Sequence, residues 1–252
     1  MAAPVSSAQG LVVRRLGRVL LLGLDHSLGS GSTSGNRIGM ALLQQLSGIV
    51  RDELGPAGTI MGAGVLHSVP RSGGDFCLGT EIVNQSAVGG ATTRSDLLWK
   101  VEHKVGPRIS SFQVGSTKPL IAAISGRAIG IGLQLAMLCD VRIAEEDSLF
   151  GLGSSKEAAA LHSLLGPDLA YQLMSQLAKM IGPSLALDLL LSGRQIKATD
   201  ALNLGLISQV VKTGTGCFCK SHWRVRLVFS DIGASATTSF VATVRVRMLG
   251  DS

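Results

Sequence analysis

The chain has 252 residues and a formal net charge of +6, with 46% hydrophobic and only 16% charged residues. This length suits one α/β domain with a sizeable core, and no apolar run approaches the ~20 residues of a membrane span. From Lys212 onward, six Lys and Arg and two Asp give a net charge of +4. The remaining body is nearly neutral, which disfavours nucleic acid as its partner. Four cysteines without an obvious disulfide framework indicate a reducing compartment, so we expect a cytoplasmic protein.

The amino-terminal part predicts a hairpin followed by a helix. The run from Leu11 to Asp25 has the character of two strands that turn at Leu16-Gly17. The same stretch is rich in arginine and poor in acids, so a mitochondrial presequence stays open as the alternative. Apolar residues then recur with a helical period from Asn36 to Leu54, and Gly55-Pro56 ends the predicted helix.

Residues 117–150 hold the pattern around which the chain is organised. An apolar run from Leu120 to Ser125 is typical of a buried strand, and a glycine-rich turn follows from Gly126 to Gly130. The almost wholly apolar stretch from Ile131 to Cys139 predicts a buried helix, and a second strand-like run extends from Asp140 to Ala144. This order predicts a βαβ unit. Unpaired N–H groups gather where such a helix starts, so that position favours negative charge such as a thioester enolate.

Two further stretches make the pattern specific. GGDFCLGTEI, from Gly73 to Ile82, is a second glycine turn placed after the strand-like run Val65 to Ser68. LLLSGRQIKATDALNLGLISQVV follows from Leu189 to Val211. Together with GRAIGIGLQLAMLCDVRIAEED, these motifs resemble the crotonase superfamily, the enoyl-CoA hydratase/isomerase group, over roughly residues 10–211.

The resemblance implies a fold, a substrate class and a set of site residues. The fold would be an α/β spiral of ββα units, and the ligand an acyl-CoA thioester. No separate cofactor is expected because the substrate carries the coenzyme A. In this family two backbone N–H groups bind the thioester oxygen, and the matching positions are Thr80 and Ile131. A β-branched Ile131 resists any conformation with φ > 0, which puts that half of the oxyanion hole in question. The neighbouring positions that would line the substrate are Cys77, Leu78, Gly79 and Gly130.

The expected acid/base pair departs from the family pattern. Family hydratases use two glutamates, and the matching positions hold Gln134 and Ser154. Gln134 can orient water but cannot take a proton at neutral pH, and Ser154 would need its own base. Glu157 and Asp168 are the alternative acids. We therefore expect weak hydratase or isomerase activity; the alternative is an inactive crotonase-fold protein that binds acyl-CoA, a protein or RNA.

The other reactive side chains are predicted to be structural. His67 lies inside a strand-like run, where a core histidine is expected. Glu145 to Asp147 follow a strand and predict a solvated turn. Cys217 and Cys219 with His222 lack a fourth ligand at a usual zinc spacing, so no metal site is expected.

The carboxyl-terminal segment, residues 212–252, is predicted to be an atypical basic tail. Family members end in amphipathic helices that close the pocket and build a homotrimer. Here WRVRLVF and FVATVRVRM alternate with period two, which is typical of strands rather than helices. The sequence thus predicts that the helical ending is replaced, and this ending puts the family-type trimer in doubt.

Overall fold

The computed structural model describes residues 6–8, 10–25, 37–38, 40–58, 60–69, 74–79, 116–153, 174–213, 223–230 and 241–248. Within these ranges the strands are β1 Ser6–Ala8, β2 Leu11–Leu16, β3 Val19–Leu24, β4 Ala63–Ser68, β5 Leu120–Ile124, β6 Arg127–Ile129, β7 Val141–Glu145, β8 Leu149–Gly151, β9 Ile196–Lys197, β10 Gln209–Val211, β11 Trp223–Ser230 and β12 Val241–Met248. The helices are α1 Met40–Leu54, α2 Ile131–Leu138, α3 Pro183–Ser192 and α4 Ala198–Asn203, and residues 174–181 are also helical.

A seven-stranded sheet in the order β1-β2-β3-β4-β5-β7-β10 forms the body of the fold. The first three strands are antiparallel, whereas β3, β4, β5, β7 and β10 run parallel to one another. The predicted amino-terminal hairpin is therefore confirmed, and Gly17 makes its turn with a φ of 59°. Because the parallel strands share a direction, their carboxyl ends meet at one edge of the sheet. The segments that leave this edge carry the glycine-rich motifs.

The α1 helix packs the predicted apolar stripe against this sheet. Leu42, Leu46 and Val50 are buried, and Ile49 packs against them. The helix ends before Gly55 as predicted, but it begins at Met40 rather than near Asn36. The difference has a tertiary cause, because the Ile38 N–H donates to the Gly79 carbonyl at 2.9 Å and this holds the backbone extended before the helix.

The predicted βαβ unit is confirmed as β5, α2 and β7, with β5 and β7 adjacent and parallel. All eight residues of α2 are buried, as the apolar run predicted. One detail of the prediction was wrong: the segment Gly126 to Gly130 is not a plain turn. It contains β6, which pairs in parallel with β8 in a three-stranded sheet completed by β9. The partner strand lies about twenty residues further along the chain, so no local pattern indicated it.

The carboxyl-terminal segment contains the two strands that its period-two pattern predicted. β11 pairs antiparallel with β12, with Trp223 opposite Met248 and Ser230 opposite Val241. The proposed boundary between residues 10–211 and residues 212–252 stays a prediction. None of the helices in the described ranges combines the length and the apolar character that a membrane crossing requires.

Candidate functional site

The amino-terminal turn of α2 is a buried helix start without a side-chain cap. Gly130 precedes the helix with a φ of 56° and a ψ of −115°, and its N–H donates to the Gly151 carbonyl at 2.9 Å. The Gln134 N–H closes the first turn onto the Gly130 carbonyl at 3.1 Å. No acceptor within the described ranges is found for the N–H groups of Ile131, Gly132 and Leu133. A helix start of this kind concentrates positive potential and unused donors.

The concern about Ile131 is resolved by the residue before it. Gly130 takes the positive φ, and Ile131 is the first residue of the helix, a conformation in which φ is negative. A β-branched side chain is compatible with that conformation. Ile131 is fully buried, so its N–H lies in a dry environment.

The second glycine turn packs directly on this helix start. Cys77 forms an isolated parallel bridge with Ala128: the Cys77 N–H donates to the Arg127 carbonyl at 3.0 Å, and the Ile129 N–H donates to the Cys77 carbonyl at 2.8 Å. A Cβ added to Gly132 would lie 2.6 Å from both Cβ and the carbonyl oxygen of Cys77. The two motifs that carry the resemblance are therefore in van der Waals contact, and Gly132 is required for that approach.

An ion pair joins the same two segments. Asp75 Oδ1 accepts from the Arg127 backbone N–H at 2.9 Å and from Nε at 3.0 Å, while Oδ2 accepts from Nη2 at 2.8 Å. Asp75 is buried, and the hydrogen bond from Arg127 to Asp75 raises the pKa of the guanidinium. The sequence analysis missed both residues. Their signal was an acid and a base in the segments that follow β4 and β5, two strands that a parallel sheet brings side by side.

Gln134 lies on the first turn of α2 with only 1% of its surface exposed. Its Oε1 is buried and has no hydrogen-bond partner among the described residues. An unpaired buried amide oxygen costs roughly 1–3 kcal/mol unless a donor reaches it. Gln134 thus presents a neutral amide oxygen without a donor among the described residues, and its correspondence to a family glutamate stays a prediction.

The structure describes Cys77, Leu78, Gly79 and Gly130, and their expected role in lining the substrate stays a prediction. Cys77 is fully buried, and burial raises the pKa of its thiol to about 12, although the Gly79 backbone and Arg37 act in the opposite direction. Leu78 is half-buried, and Gly79 is buried with a φ of 117°.

Four of the predicted site residues lie outside the described ranges: Thr80, Ser154, Glu157 and Asp168. The predicted pairing of Thr80 with Ile131 therefore stays a prediction, as do the substitute acids.

Two predictions about titratable residues have different outcomes. His67 is a buried strand residue as expected, and desolvation lowers the pKa of its imidazole. The prediction of a solvated turn at Glu145 to Asp147 was wrong for its first residue. Glu145 ends β7, is 3% exposed and accepts from the Ser125 hydroxyl at 2.5 Å. Glu146 and Asp147 are exposed as predicted. Pairing between β5 and β7 brings Ser125 close enough to bury that carboxylate.

A cavity of about 260 Å³ opens at the opposite end of α2, between Ser116 and Asp140. Asp140 accepts there from the Leu120 N–H at 2.8 Å, so its carboxylate has a structural partner. This cavity is remote from the helix start in the fold.

In the part of the chain that the structure describes, no three His, Cys, Asp or Glu side chains converge as metal ligands would, and Cys217, Cys219 and His222 lie outside that part.

Comparison with known proteins identifies the relatives of this chain. A family model described as enoyl-CoA hydratase/isomerase matches residues 61–217. An (E)-benzylidenesuccinyl-CoA hydratase from Thauera aromatica is 36% identical over 133 residues, which are 53% of this chain and 47% of that protein. A 2,3-dehydroadipyl-CoA hydratase from Escherichia coli is 32% identical over 206 residues, which are 79% of this chain and 68% of that protein. The chain thus spans about half to two thirds of the length of these curated relatives.

Solved structures confirm the predicted fold class. An enoyl-CoA hydratase/isomerase family protein from Hyphomonas neptunium superposes with a TM-score of 0.63 at 25% identity, covering 82% of this chain and 71% of that chain. An enoyl-CoA hydratase from Mycobacterium tuberculosis gives a TM-score of 0.60 at 25% identity, covering 83% and 71%. The α/β architecture and the crotonase-like arrangement of its elements are shared with these structures.

Proposed function

The chain belongs to the enoyl-CoA hydratase/isomerase family, and from this premise we propose that it binds CoA thioesters at the start of α2 and hydrates or isomerises them weakly. The thioester oxygen would accept a hydrogen bond from the Ile131 N–H, and the second donor would be the Thr80 N–H. Acyl-CoA is the ligand class, whereas the trimer and the reducing compartment stay predictions.

The observation that supports this proposal most directly concerns the backbone N–H groups at the start of α2. Its first N–H groups have no acceptor within the described ranges, although every residue of the helix is buried. In a dry site, one such donor aimed at a developing oxyanion is worth about 2.7–4 kcal/mol of transition-state stabilisation. Donation from the main chain also explains why isoleucine is compatible with the site.

We expect weak turnover because of the Gln134 side chain on the first turn of α2. Hydration requires one proton to be removed and one to be delivered. The Gln134 Oε1 faces no described donor, and the amide cannot take up a proton as a carboxylate can at neutral pH. It can still hold a water or a ligand hydroxyl by accepting its hydrogen bond. The site therefore keeps the electrostatic part of the chemistry and lacks a carboxylate at this position.

The same observation favours a second candidate, an acyl-CoA-binding protein without turnover. A buried glutamine costs less to desolvate than a glutamate, so the site retains ligand affinity without maintaining an ionised acid. The two candidates differ only in whether another group supplies the proton transfer, and Glu157 and Asp168 are the acids to test.

One paired experiment separates the candidates. Butyryl-CoA binding is measured by calorimetry, and hydration of crotonyl-CoA is followed on the same preparation, with free coenzyme A as the ligand control. Binding with turnover that Glu157→Gln or Asp168→Asn abolishes supports the enzyme. Binding without turnover selects the binding protein. If butyryl-CoA binds no better than free coenzyme A, the proposal is wrong.

A further inference from the structure

We infer that Asp75 and Arg127 are positioning residues, which hold the two glycine turns in the register that an oxyanion hole at Ile131 requires. The inference rests on the proposed function, because it concerns the same thioester site. Neither residue corresponds to a position that the family resemblance assigned. The role is geometric, and neither side chain needs to touch the ligand.

The contacts between Asp75 and Arg127, together called the clamp, are more extensive than those of a surface ion pair. Asp75 Oδ1 accepts hydrogen bonds from both the Arg127 backbone N–H and Nε, and Asp75 Oδ2 accepts from Nη2. This arrangement fixes the Arg127 backbone together with its side chain. The Asp75 side chain is 12% exposed and that of Arg127 is 47% exposed, so solvent screens the guanidinium more than the carboxylate. The hydrogen-bond geometry therefore matters more than the charge attraction.

The segments joined by the clamp approach each other as closely as their backbones allow. Gly126 precedes Arg127 with a φ of 63°, and a Cβ there would lie 2.4 Å from the Gly74 carbonyl oxygen and 2.9 Å from Asp75 Oδ1. Further along the two segments, Cys77, two residues after Asp75, forms the parallel bridge with Ala128, the residue after Arg127. The clamp thus sets the distance between the two segments beside this close backbone approach.

The register set at this point extends along the described residues that lead toward the proposed donors. Arg127 begins β6, which ends at Ile129, and the helix with the Ile131 N–H starts two residues later. On the other segment Asp75 precedes Cys77 and Gly79, and the chain then reaches Thr80. A small shift between the segments therefore moves one donor relative to the other. Misplacement of reacting groups by about 1 Å can cost about 10²-fold in rate, so such a shift matters.

The test uses butyryl-CoA carrying ¹³C at the thioester carbonyl, a saturated ligand that cannot be hydrated. Infrared difference spectra report how strongly the bound carbonyl oxygen is hydrogen-bonded, since stronger donation lowers its stretching frequency. In Arg127→Gln we expect the bound frequency to return most of the way to that of free butyryl-CoA, while coenzyme A contacts still hold the ligand. Arg127→Lys should give an intermediate frequency, because an ammonium keeps the charge but not the planar fork.

Arg194→Gln is the matched control. Arg194 donates from Nε to Asp188 at 2.8 Å in an exposed Arg–Asp pair of α3 and its carboxyl end. This variant should keep the wild-type carbonyl frequency. A wild-type frequency in both Arg127 variants overturns the positioning role, and an equal change in Arg194→Gln overturns it as well.

A measurement without ligand separates this inference from the proposed function. Amide hydrogen exchange is followed at Cys77 and Ile129, whose N–H groups make the bonds between the two segments. We expect about tenfold faster exchange at both amides in Arg127→Gln, with unchanged exchange at Leu66 in the central sheet. If wild-type protein binds no butyryl-CoA, the proposed function fails, and the exchange rates still decide whether the clamp sets the register. Unchanged exchange at Cys77 and Ile129 overturns the clamp itself.

Discussion

Two helices of this protein start in nearly the same way, and only one start has the properties of a site. α2 and α3 both follow a glycine with positive φ, 56° at Gly130 and 87° at Gly182, and neither has a side-chain cap. In both, the first turn closes with a 3.1 Å bond to that glycine's carbonyl oxygen, from Gln134 and from Ala186. The capping hydrogen bond therefore does not distinguish the two starts, although the ψ of the glycine differs, −115° at Gly130 and 149° at Gly182.

The surroundings make the difference. Gly132 of α2 touches Cys77, and the whole helix is buried. At the start of α3, no atom of the described residues lies within 4 Å of a Cβ built on Gly182, and Pro183 and Ser184 are exposed. Proline also removes the first N–H of that helix. A glycine-capped helix start becomes a candidate site when other segments exclude water from donors that remain unpaired.

Carboxylates supplied at positions 134 and 154, where the family resemblance implies them, should have the largest effect on this comparison. The double variant Gln134→Glu with Ser154→Glu should raise crotonyl-CoA hydration, because a general acid/base typically contributes about 10²–10⁴-fold. Initial rates at saturating crotonyl-CoA measure the gain, and each single variant should gain less. Gln176→Glu with Ser154→Glu is the control, since Gln176 also has a buried Oε1 without a described partner. A double variant that folds, binds butyryl-CoA and gains nothing contradicts the proposal that only the carboxylates are missing.

The reactivity of a thiol at each helix start compares how far water reaches the starts of α2 and α3. Burial raises the pKa of Cys77 to about 12, whereas a cysteine at exposed position 184, made by Ser184→Cys, should have an ordinary pKa of about 8.5. With Cys217→Ser and Cys219→Ser in the background, we expect Cys77 to react about 10³-fold more slowly with a disulfide reagent at pH 8.

The pH dependence of the two thiols should also differ. The reactive form is the thiolate, whose fraction rises with pH until the pKa is reached. The rate at Cys77 should therefore keep rising above pH 9, while the rate at Ser184→Cys levels off. Comparable rates at pH 8 would show that water reaches the α2 start and that the contrast is absent.

A methyl group at Gly132 tests the contact that buries the α2 start. Its Cβ would lie 2.6 Å from the Cys77 carbonyl oxygen, so backbone must move in Gly132→Ala. We expect a loss of about 1–3 kcal/mol in the free energy of unfolding, measured by urea denaturation, and weaker butyryl-CoA binding. Gly48→Ala in α1 is the matched control. Nothing lies within 4 Å of its Cβ, so it should gain about 0.5–1 kcal/mol from helix propensity. Equal effects of the two variants would contradict the close packing.

The smallest effect is expected at the start of α3. Gly182→Ala meets no atom within 4 Å, but its φ of 87° strains an alanine. The cost should be about 1–2 kcal/mol of unfolding free energy. Butyryl-CoA affinity should not change, because this start belongs to no proposed site. A change in affinity comparable with that of Gly132→Ala would remove the distinction between the two helix starts.

Much of the fold follows from local pattern. The hairpin, the stripe of α1, the buried run of α2 and the flanking strands were all predicted, with boundaries that differ by a few residues. Hydrophobic periodicity and turn chemistry act over short distances along the chain, which is why these elements could be found. The motifs around Cys77 and Gly130 identified the family, and the comparisons bear that identification out.

The sequence alone also determined that Gln134 cannot act as a carboxylate wherever it lies, whereas the weak turnover inferred from it stays a prediction. Only the tertiary structure decided that Glu145 is buried against Ser125, that β6 lies within the glycine turn, and that Asp75 clamps Arg127. Each of these depends on residues about 20 to 50 positions apart, which adjacent parallel strands bring together. The dryness of the α2 start has the same origin, because the residues that exclude water from its N–H groups belong to other segments of the chain.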